Sequence, residues 1–183
     1  MPKSRKSSLP RAVFLDRDGV LNEDCGYVGQ VERFHIFPFV GKALKILSKK
    51  GFLLFVVTNQ SGIGRGYYTM SDAEQLHQIL CDHMKKQGVA FARIYVSPDS
   101  PLVPSETRKP SPKFLLDAAK EFKIDLKTSY VIGDKSSDLE MARRAGCKAV
   151  LVRSGYGKET EKEPGIKFDF NFEDLLDAAK VLK

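Results

Sequence analysis

Three features of the chain predict an α/β fold with a doubly wound, Rossmann-like and mostly parallel sheet. Apolar runs of strand type alternate with segments of helical spacing along its length. The run at 52–57 is apolar without a break, as a strand is when helices cover both faces of its sheet. At 183 residues, with 42% hydrophobic and 29% charged residues, the chain has the size and composition of one globular unit with a sizeable core.

Residues 1–11 read as a flexible basic N-terminal tail and 12–183 as a single domain. Lys3, Arg5, Lys6 and Arg11 supply much of the formal net charge of +7, so the body is only mildly basic and a nucleic-acid partner is not expected. No apolar run approaches a membrane span, and segment 1–11 is polar and basic with no apolar core of a secretory signal behind it. Cys25, Cys81 and Cys147 are odd in number and form no Cys-x-x-Cys pair, which predicts free thiols in a reducing, cytoplasmic setting.

The first strand, 13–15, runs into Asp16-Arg17-Asp18-Gly19. Side chains alternate in extended chain, so Asp16 and Asp18 are expected on one side and Arg17 on the other. Two carboxylates sharing one space call for a divalent cation or a shared proton; an exposed Asp-x-Asp-Gly turn is the alternative. Residues 23–39 are irregular and read as a loop or small hairpin. A helix follows at 40–50, where Val40, Ala43, Leu44 and Leu47 share one face and Gly51 supplies the stop.

The strand at 52–57 ends in Thr58-Asn59-Gln60-Ser61. Ser71 with Glu74 reads as an N-cap and capping box opening a helix to about residue 88. A strand at 91–96 and a Pro/Ser loop at 97–104 lead to Arg108-Lys109-Pro110 and a helix at 111–122. The strand at 130–133 meets Asp134, and a helix at 136–145 follows. A strand at 149–152, a short edge strand near 168–172 and a closing helix at 173–182 complete the chain. His35, His77 and His83 are scattered and read as surface or packing residues.

Ligands of such sheets bind at the carboxyl ends of the strands, where the strand order reverses. Asp16/Asp18, Thr58-Asn59 and Asp134 all stand at strand ends, and with Lys109 they offer carboxylates for a metal, donors for phosphate oxygens and a cation for developing charge.

In this order and context the four motifs resemble those of the haloacid dehalogenase superfamily of aspartate-nucleophile phosphatases. The resemblance runs from about residue 12 to the C-terminus. It implies Asp16 as nucleophile, Asp18 as general acid and base, Thr58 and Lys109 as ligands of the transferring oxygens, and Mg²⁺ held by Asp16, the Asp18 carbonyl and Asp134. Asp138 would orient Lys109 or a metal-bound water, and Lys135 would add charge beside the phosphate; a solvated charge pair at a helix start is the alternative for both. An acid at position 18 favours phosphomonoester hydrolysis, since an alkoxide leaves poorly without a proton.

The intervals from Asp16 to Thr58 and from Thr58 to Lys109 are already filled by core elements, so no cap domain is expected. The loops at 22–28 and 59–66 resemble those of the subfamily acting on heptose 1,7-bisphosphate and histidinol phosphate. This implies a small sugar-phosphate substrate lined by Asp24, Cys25, Gly26, Tyr27, Asn59, Gln60 and Ser61 and recognised by Arg108. Gly64-Arg65-Gly66 reads equally as an ordinary turn or as part of that rim. Where many of the subfamily carry zinc-binding Cys and His, this chain has Ser97, Asp99, Ser105 and Thr107, so no zinc is expected. The resulting expectation is a monomeric Mg²⁺-dependent phosphatase removing the 7-phosphate of the heptose bisphosphate. Histidinol phosphate or a polynucleotide 3′-phosphate are the alternative substrates, and a receiver-type phospho-accepting domain is the non-enzymatic alternative.

Overall fold

The computed structural model describes residues 9–183. Six parallel strands form one sheet in the order β3-β2-β1-β4-β5-β6. They are β1 (Arg11–Leu15), β2 (Phe52–Asn59), β3 (Arg93–Ser97), β4 (Tyr130–Gly133), β5 (Lys148–Val152) and β6 (Phe170–Phe172). The chain winds outward through β2 and β3 on one side of β1 and through β4, β5 and β6 on the other. The reversal therefore lies between β1 and β4, and a crevice opens at their carboxyl ends.

Alternation along each strand divides the core in two. Val13, Leu15, Leu54, Val56, Ile132 and Val150 face α1 (Val40–Lys49), α3 (Met70–Lys85) and α7 (Leu175–Val181), which contribute Leu44, Leu47, Leu76, Leu80, Met84 and Leu175. Phe14, Phe55, Val57, Val131 and Leu151 face α4 (Lys113–Phe122) and α5 (Ser136–Ala145) through Leu115, Ala118, Leu139 and Met141. Each fully buried leucine among these contributes about 1.5–3 kcal/mol by leaving water. Two one-turn helices, α2 (Ser61–Gly64) and α6 (Gly157–Thr160), follow β2 and β5 and have no counterpart in the sequence reading.

Two expectations need correction, and a third is narrowed to one of its alternatives. Arg11 belongs to the sheet and not to a tail: it pairs with Phe52, lays its guanidinium 4.4 Å from that ring and donates to the Lys50 carbonyl. The rest of the expected tail, 1–8, lies outside the described residues. Thr69 caps α3, in a reciprocal box with Asp72, because Thr69 and Asp72 repeat two residues earlier the spacing of Ser71 and Glu74. The segment after β1 makes only isolated bridges, Asp18 with Asn22 and Asn22 with Ile36, and a turn of 3₁₀ helix at Val31–Arg33 in place of a hairpin. No domain is inserted between β1 and β2 or between β2 and β3, so among the described residues only the loops at the strand ends border the crevice.

Candidate active site

Asp16 leaves the end of β1 with its N–H bonded to the Ile132 carbonyl of β4, which sets it on the line of strand reversal. Asp134 follows β4 directly, and a carboxylate oxygen from each of Asp16, Asp134 and Asp138 lies within 4.8 Å of the others. All three are buried. Lys109, arriving from the loop before α4, puts Nζ 2.8 Å from Asp16 and 2.7 Å from Asp138. Asp138 also accepts from the Lys135 N–H at the start of α5, which fixes its direction. Gly133 gives it room, since a Cβ there would meet Asp138 at 2.2 Å.

Gly19 is required twice over. Its φ of +85° is left-handed, and a Cβ would lie 2.2 Å from Asp134 Oδ2. The loop after β5 closes the same corner: Ser154 donates to the Gly19 carbonyl, the Tyr156 N–H to Asp134 Oδ2 at 2.8 Å, and Thr160 to the Asp134 carbonyl. The sequence reading missed this loop, which carries no charged motif.

Asp16 and Asp18 do face one cleft, as expected, but Arg17 does not point away from them, because the extended chain ends at Leu15. The Arg17 carbonyl accepts the N–H groups of Val20, Leu21 and Asn22 in a tight turn. The Arg17 side chain comes round to Asp18, not away from it, with NH2 2.9 Å from both carboxylate oxygens. Asn22 and Gln60 donate to the same carboxylate at 2.8 and 2.9 Å. The Asp18 carboxylate is thus outside the cluster formed by Asp16, Asp134 and Asp138.

Thr58, at the end of β2, is buried and accepts from Gln60 Nε2 at 2.8 Å, leaving its hydroxyl proton for another acceptor. Asn59 and Gln60 line the crevice, but their amides are committed to the protein. Asn59 accepts from the Lys109 N–H at 3.0 Å and faces the Lys109 carbonyl at 3.4 Å. Gln60 accepts from Arg17 and from Tyr68, whose ring lies against Gly29 and Gly62.

A cleft of about 160 Å³ is walled by Asp16, Asp18, Asn59, Ser61, Arg108, Lys109 and Lys135. It adjoins a second, of about 320 Å³, lined by Asp24, Gly26, Tyr27, Gln60, Tyr68 and Tyr156 among others. Lys135 links them, ion-paired to Asp24 at 2.7 Å and lying over the Tyr156 ring. Arg33 donates to the Cys25 and Gly26 carbonyls and so holds the loop that presents Tyr27. Cys25 is the predicted residue not brought in: its side chain is exposed and borders a neighbouring groove with Glu23, Phe37 and Glu159.

Arg108 is half-buried and anchored to the Asp99 carbonyl at 3.1 Å. Burial lowers its proton affinity, and the charge of Arg65 beside it lowers it further. Arg65 lies 5.8 Å from the Tyr27 ring, with its Nε buried and without a hydrogen-bond partner. The sequence left Arg65 undecided between a turn and this rim. Ser97, Asp99, Ser105 and Thr107 do come together, as a hydrogen-bonded cluster in which Ser105 donates to Asp99, Thr107 to Ser97, and the Arg108 N–H to Ser105.

Electrostatics mark the cluster of carboxylates as incomplete. Burial pushes Asp16 up to about 8 against the pull of Lys109, with Asp138 and Asp134 adding to the rise. Burial and then Asp138 push Asp134 up to about 6. Burial opposes the charge on Lys109, yet Asp138 and Asp16 hold its proton affinity above the ordinary lysine value. Burial also opposes ionisation of Asp18, but Arg17, Asn22 and Gln60 hold it below the usual carboxylate range. Three buried carboxylates face one buried ammonium, and Asp134 Oδ1 has no hydrogen-bond partner. An all-oxygen set with surplus negative charge fits a hard divalent cation.

Comparison with known proteins agrees with this geometry. A family model described as HAD-hydrolase-like matches residues 106–178. The D-glycero-β-D-manno-heptose-1,7-bisphosphate 7-phosphatase of Haemophilus ducreyi is 43% identical over 175 residues, covering 91% of this chain and 95% of that protein. The enzyme of the same name from Helicobacter pylori strain 26695 is 45% identical over 143 residues, 78% of this chain and 83% of its own. Among solved structures, the D,D-heptose 1,7-bisphosphate phosphatase of B. bronchiseptica, complexed with magnesium and phosphate, superposes with a TM-score of 0.87 at 29% identity, covering 93% of this chain and 96% of that one. Relatedness of this extent leaves no place for a receiver domain: the chain belongs to the haloacid dehalogenase-like hydrolases, in the family of the heptose bisphosphate phosphatases, and is a phosphatase.

Proposed function

We propose that this phosphatase removes the 7-phosphate of D-glycero-D-manno-heptose 1,7-bisphosphate, in the cytoplasm and as a monomer, through an aspartyl-phosphate on Asp16. The observation that carries the chemistry is the convergence of Asp16, Lys109 and Asp138 within ion-pair distance, with Asp18 on the wall of the same cleft as Asp16 and Lys109. The substrate class comes from the named relatives at 40–45% identity.

Asp16 attacks phosphorus in line and takes the phosphoryl group as an acyl phosphate, dividing one displacement into two easier ones. Lys109 and the Thr58 hydroxyl bind the transferring oxygens, and Lys135 adds positive charge at the cleft mouth. Asp18, ionised in the free enzyme, takes up a proton as the anionic phosphate binds beside it, gives that proton to the departing alkoxide oxygen, and then removes one from the water that hydrolyses the acyl phosphate. Asp16, the Asp18 carbonyl and Asp134 would hold Mg²⁺, which when bound neutralises the approach of an anionic nucleophile to an anionic phosphate. Asp138 keeps Lys109 directed at Asp16.

The wider cleft accepts the sugar, bounded by Asp24, Gly26, Tyr27 and Ser61, and is of the size of a small-ligand site. Arg108 takes the distal phosphate, and we extend that anchor to Arg65, whose positive charge beside Arg108 adds to the attraction for an anionic group. The loop bearing Arg108 needs no zinc on this reading, since its four matching positions offer oxygens that bond to one another.

The test is a substrate panel with purified protein. Heptose 1,7-bisphosphate is expected to have a higher kcat/KM than histidinol phosphate or a 3′-phosphorylated oligonucleotide, and release of the 1-phosphate in place of the 7-phosphate would contradict the assignment. Chelation with EDTA should stop turnover and Mg²⁺ restore it. Elemental analysis should find no stoichiometric zinc.

A further inference from the structure

His77 interrupts an otherwise apolar face of α3, where the other buried residues are Ala73, Leu76, Leu80 and Met84. It is only 7% exposed, and its Nε2 lies 3.3 Å from NH1 of Arg17. Arg17 is itself wholly buried. Its Nε and NH2 grip Asp18, NH2 also reaches the Val28 carbonyl and Gln60 Oε1, and Phe34 lies 5.5 Å from the guanidinium carbon. The NH1 group alone points away from these acceptors, into the core beneath α3, and His77 is its partner there. Donation from a guanidinium requires a lone pair, so His77 serves as a neutral ring with any proton on Nδ1.

The arrangement fixes a plane. A guanidinium bonds carboxylate oxygens well only when its fork is coplanar with them, and the fork can tilt about its stem when one nitrogen is left without an acceptor. With NH1 held by His77 on one side and Gln60 and Val28 on the other, the fork has one orientation, and Asp18 is pinned in consequence. We propose that His77, which touches neither the nucleophile nor the cleft, is a positioning residue for proton transfer: it orients Arg17, and through it Asp18. This rests on the reading of Asp18 as the proton donor.

The experiment compares kcat/KM on two substrates. From the 7-phosphate of heptose bisphosphate the sugar oxygen leaves as an alkoxide and needs a proton; from p-nitrophenyl phosphate the nitrophenolate leaves as a stabilised anion and does not. His77→Phe, which keeps a ring but offers no lone pair, should lower kcat/KM on the alkyl phosphate about tenfold more than on the aryl phosphate. His77→Gln, which can accept from NH1, should restore the wild-type ratio. A packing role alone would lower both substrates together. Asp18→Asn is measured alongside: equal losses on the two substrates there would overturn the donor reading itself. A selective loss for Asp18→Asn with an equal loss, or none, for His77→Phe would overturn the role of His77 while leaving Asp18 standing. Failure of His77→Gln to rescue would overturn it as well. Should His77→Phe not fold, Arg17→Lys, which keeps the charge but cannot reach His77 and Asp18 at once, is scored by the same ratio.

Discussion

Asn59 brackets the backbone of Lys109, accepting its N–H at 3.0 Å and presenting Nδ2 to its carbonyl at 3.4 Å. A side-chain amide at the end of β2 thereby does for the lysine loop what a neighbouring strand would do, and the ammonium reaches Asp16 from a fixed base. Asn59→Ala should therefore lower kcat by about tenfold or more with little change in KM, because it loosens a group that acts in the transition state. Steady-state kinetics on the variant check this. A rise in KM with kcat unchanged would mean that Asn59 binds substrate directly.

Asp16→Asn conserves size and removes the nucleophilic anion. Turnover should fall by at least about 10³-fold, and no acid-labile phosphoprotein should accumulate on rapid quenching. Substantial Mg²⁺-dependent turnover by the purified variant would remove Asp16 from the covalent role.

The paired guanidiniums of Arg108 and Arg65 should divide substrates by charge. Arg108→Ala should raise KM for a bisphosphate about tenfold or more, by about 1.5–3 kcal/mol for a lost hydrogen bond to a charged group, Arg65→Ala should raise it less through the lost charge alone, and both should leave an aryl monophosphate nearly unaffected. Equal effects on both would show that they serve the transferring phosphate or the loop.

His77 also gives the fold a dependence on pH. Burial, with the charge of Arg17 next, depresses its folded pKa to about 4 from an ordinary 6.5. Between those values the unfolded chain binds the extra proton, so this residue's contribution to stability is full above about pH 6.5 and declines as pH falls toward 4. The raised values of Asp16 and Asp134 act in the opposite direction. Chemical denaturation of wild type and His77→Gln at pH 7.5 and pH 5 isolates the term. Wild type should lose more stability than the variant over that interval, and equal losses would mean His77 is already charged in the folded protein.

The strands and the acids at their ends were legible in the sequence because both are local. A continuous apolar run such as 52–57 requires helices on both faces, and chain order places Asp16, Thr58 and Asp134 each at a carboxyl end. The same reasoning misjudged Arg17, since alternation holds only while the backbone stays extended, and β1 stops one residue before Asp16. It also moved the start of α3, where two overlapping spacings both satisfied the capping pattern.

By itself, then, the sequence determined the sheet, the absence of a domain inserted between the first three strands, and which polar side chains stand at the strand ends. Those follow from periodicity, interval length and the chemistry of a few side chains. Only tertiary structure decided how the groups are shared out. Asp138 joins Asp16 and Asp134 while the Asp18 carboxylate turns to Arg17; Asn59 and Gln60 serve neighbours more than the cleft; His77 from α3 and the Ser154–Tyr156 loop reach a site far from them in the chain. Buried polar atoms must find partners wherever the fold brings them, and which ones meet depends on the packing of separate elements, to which no local spacing refers.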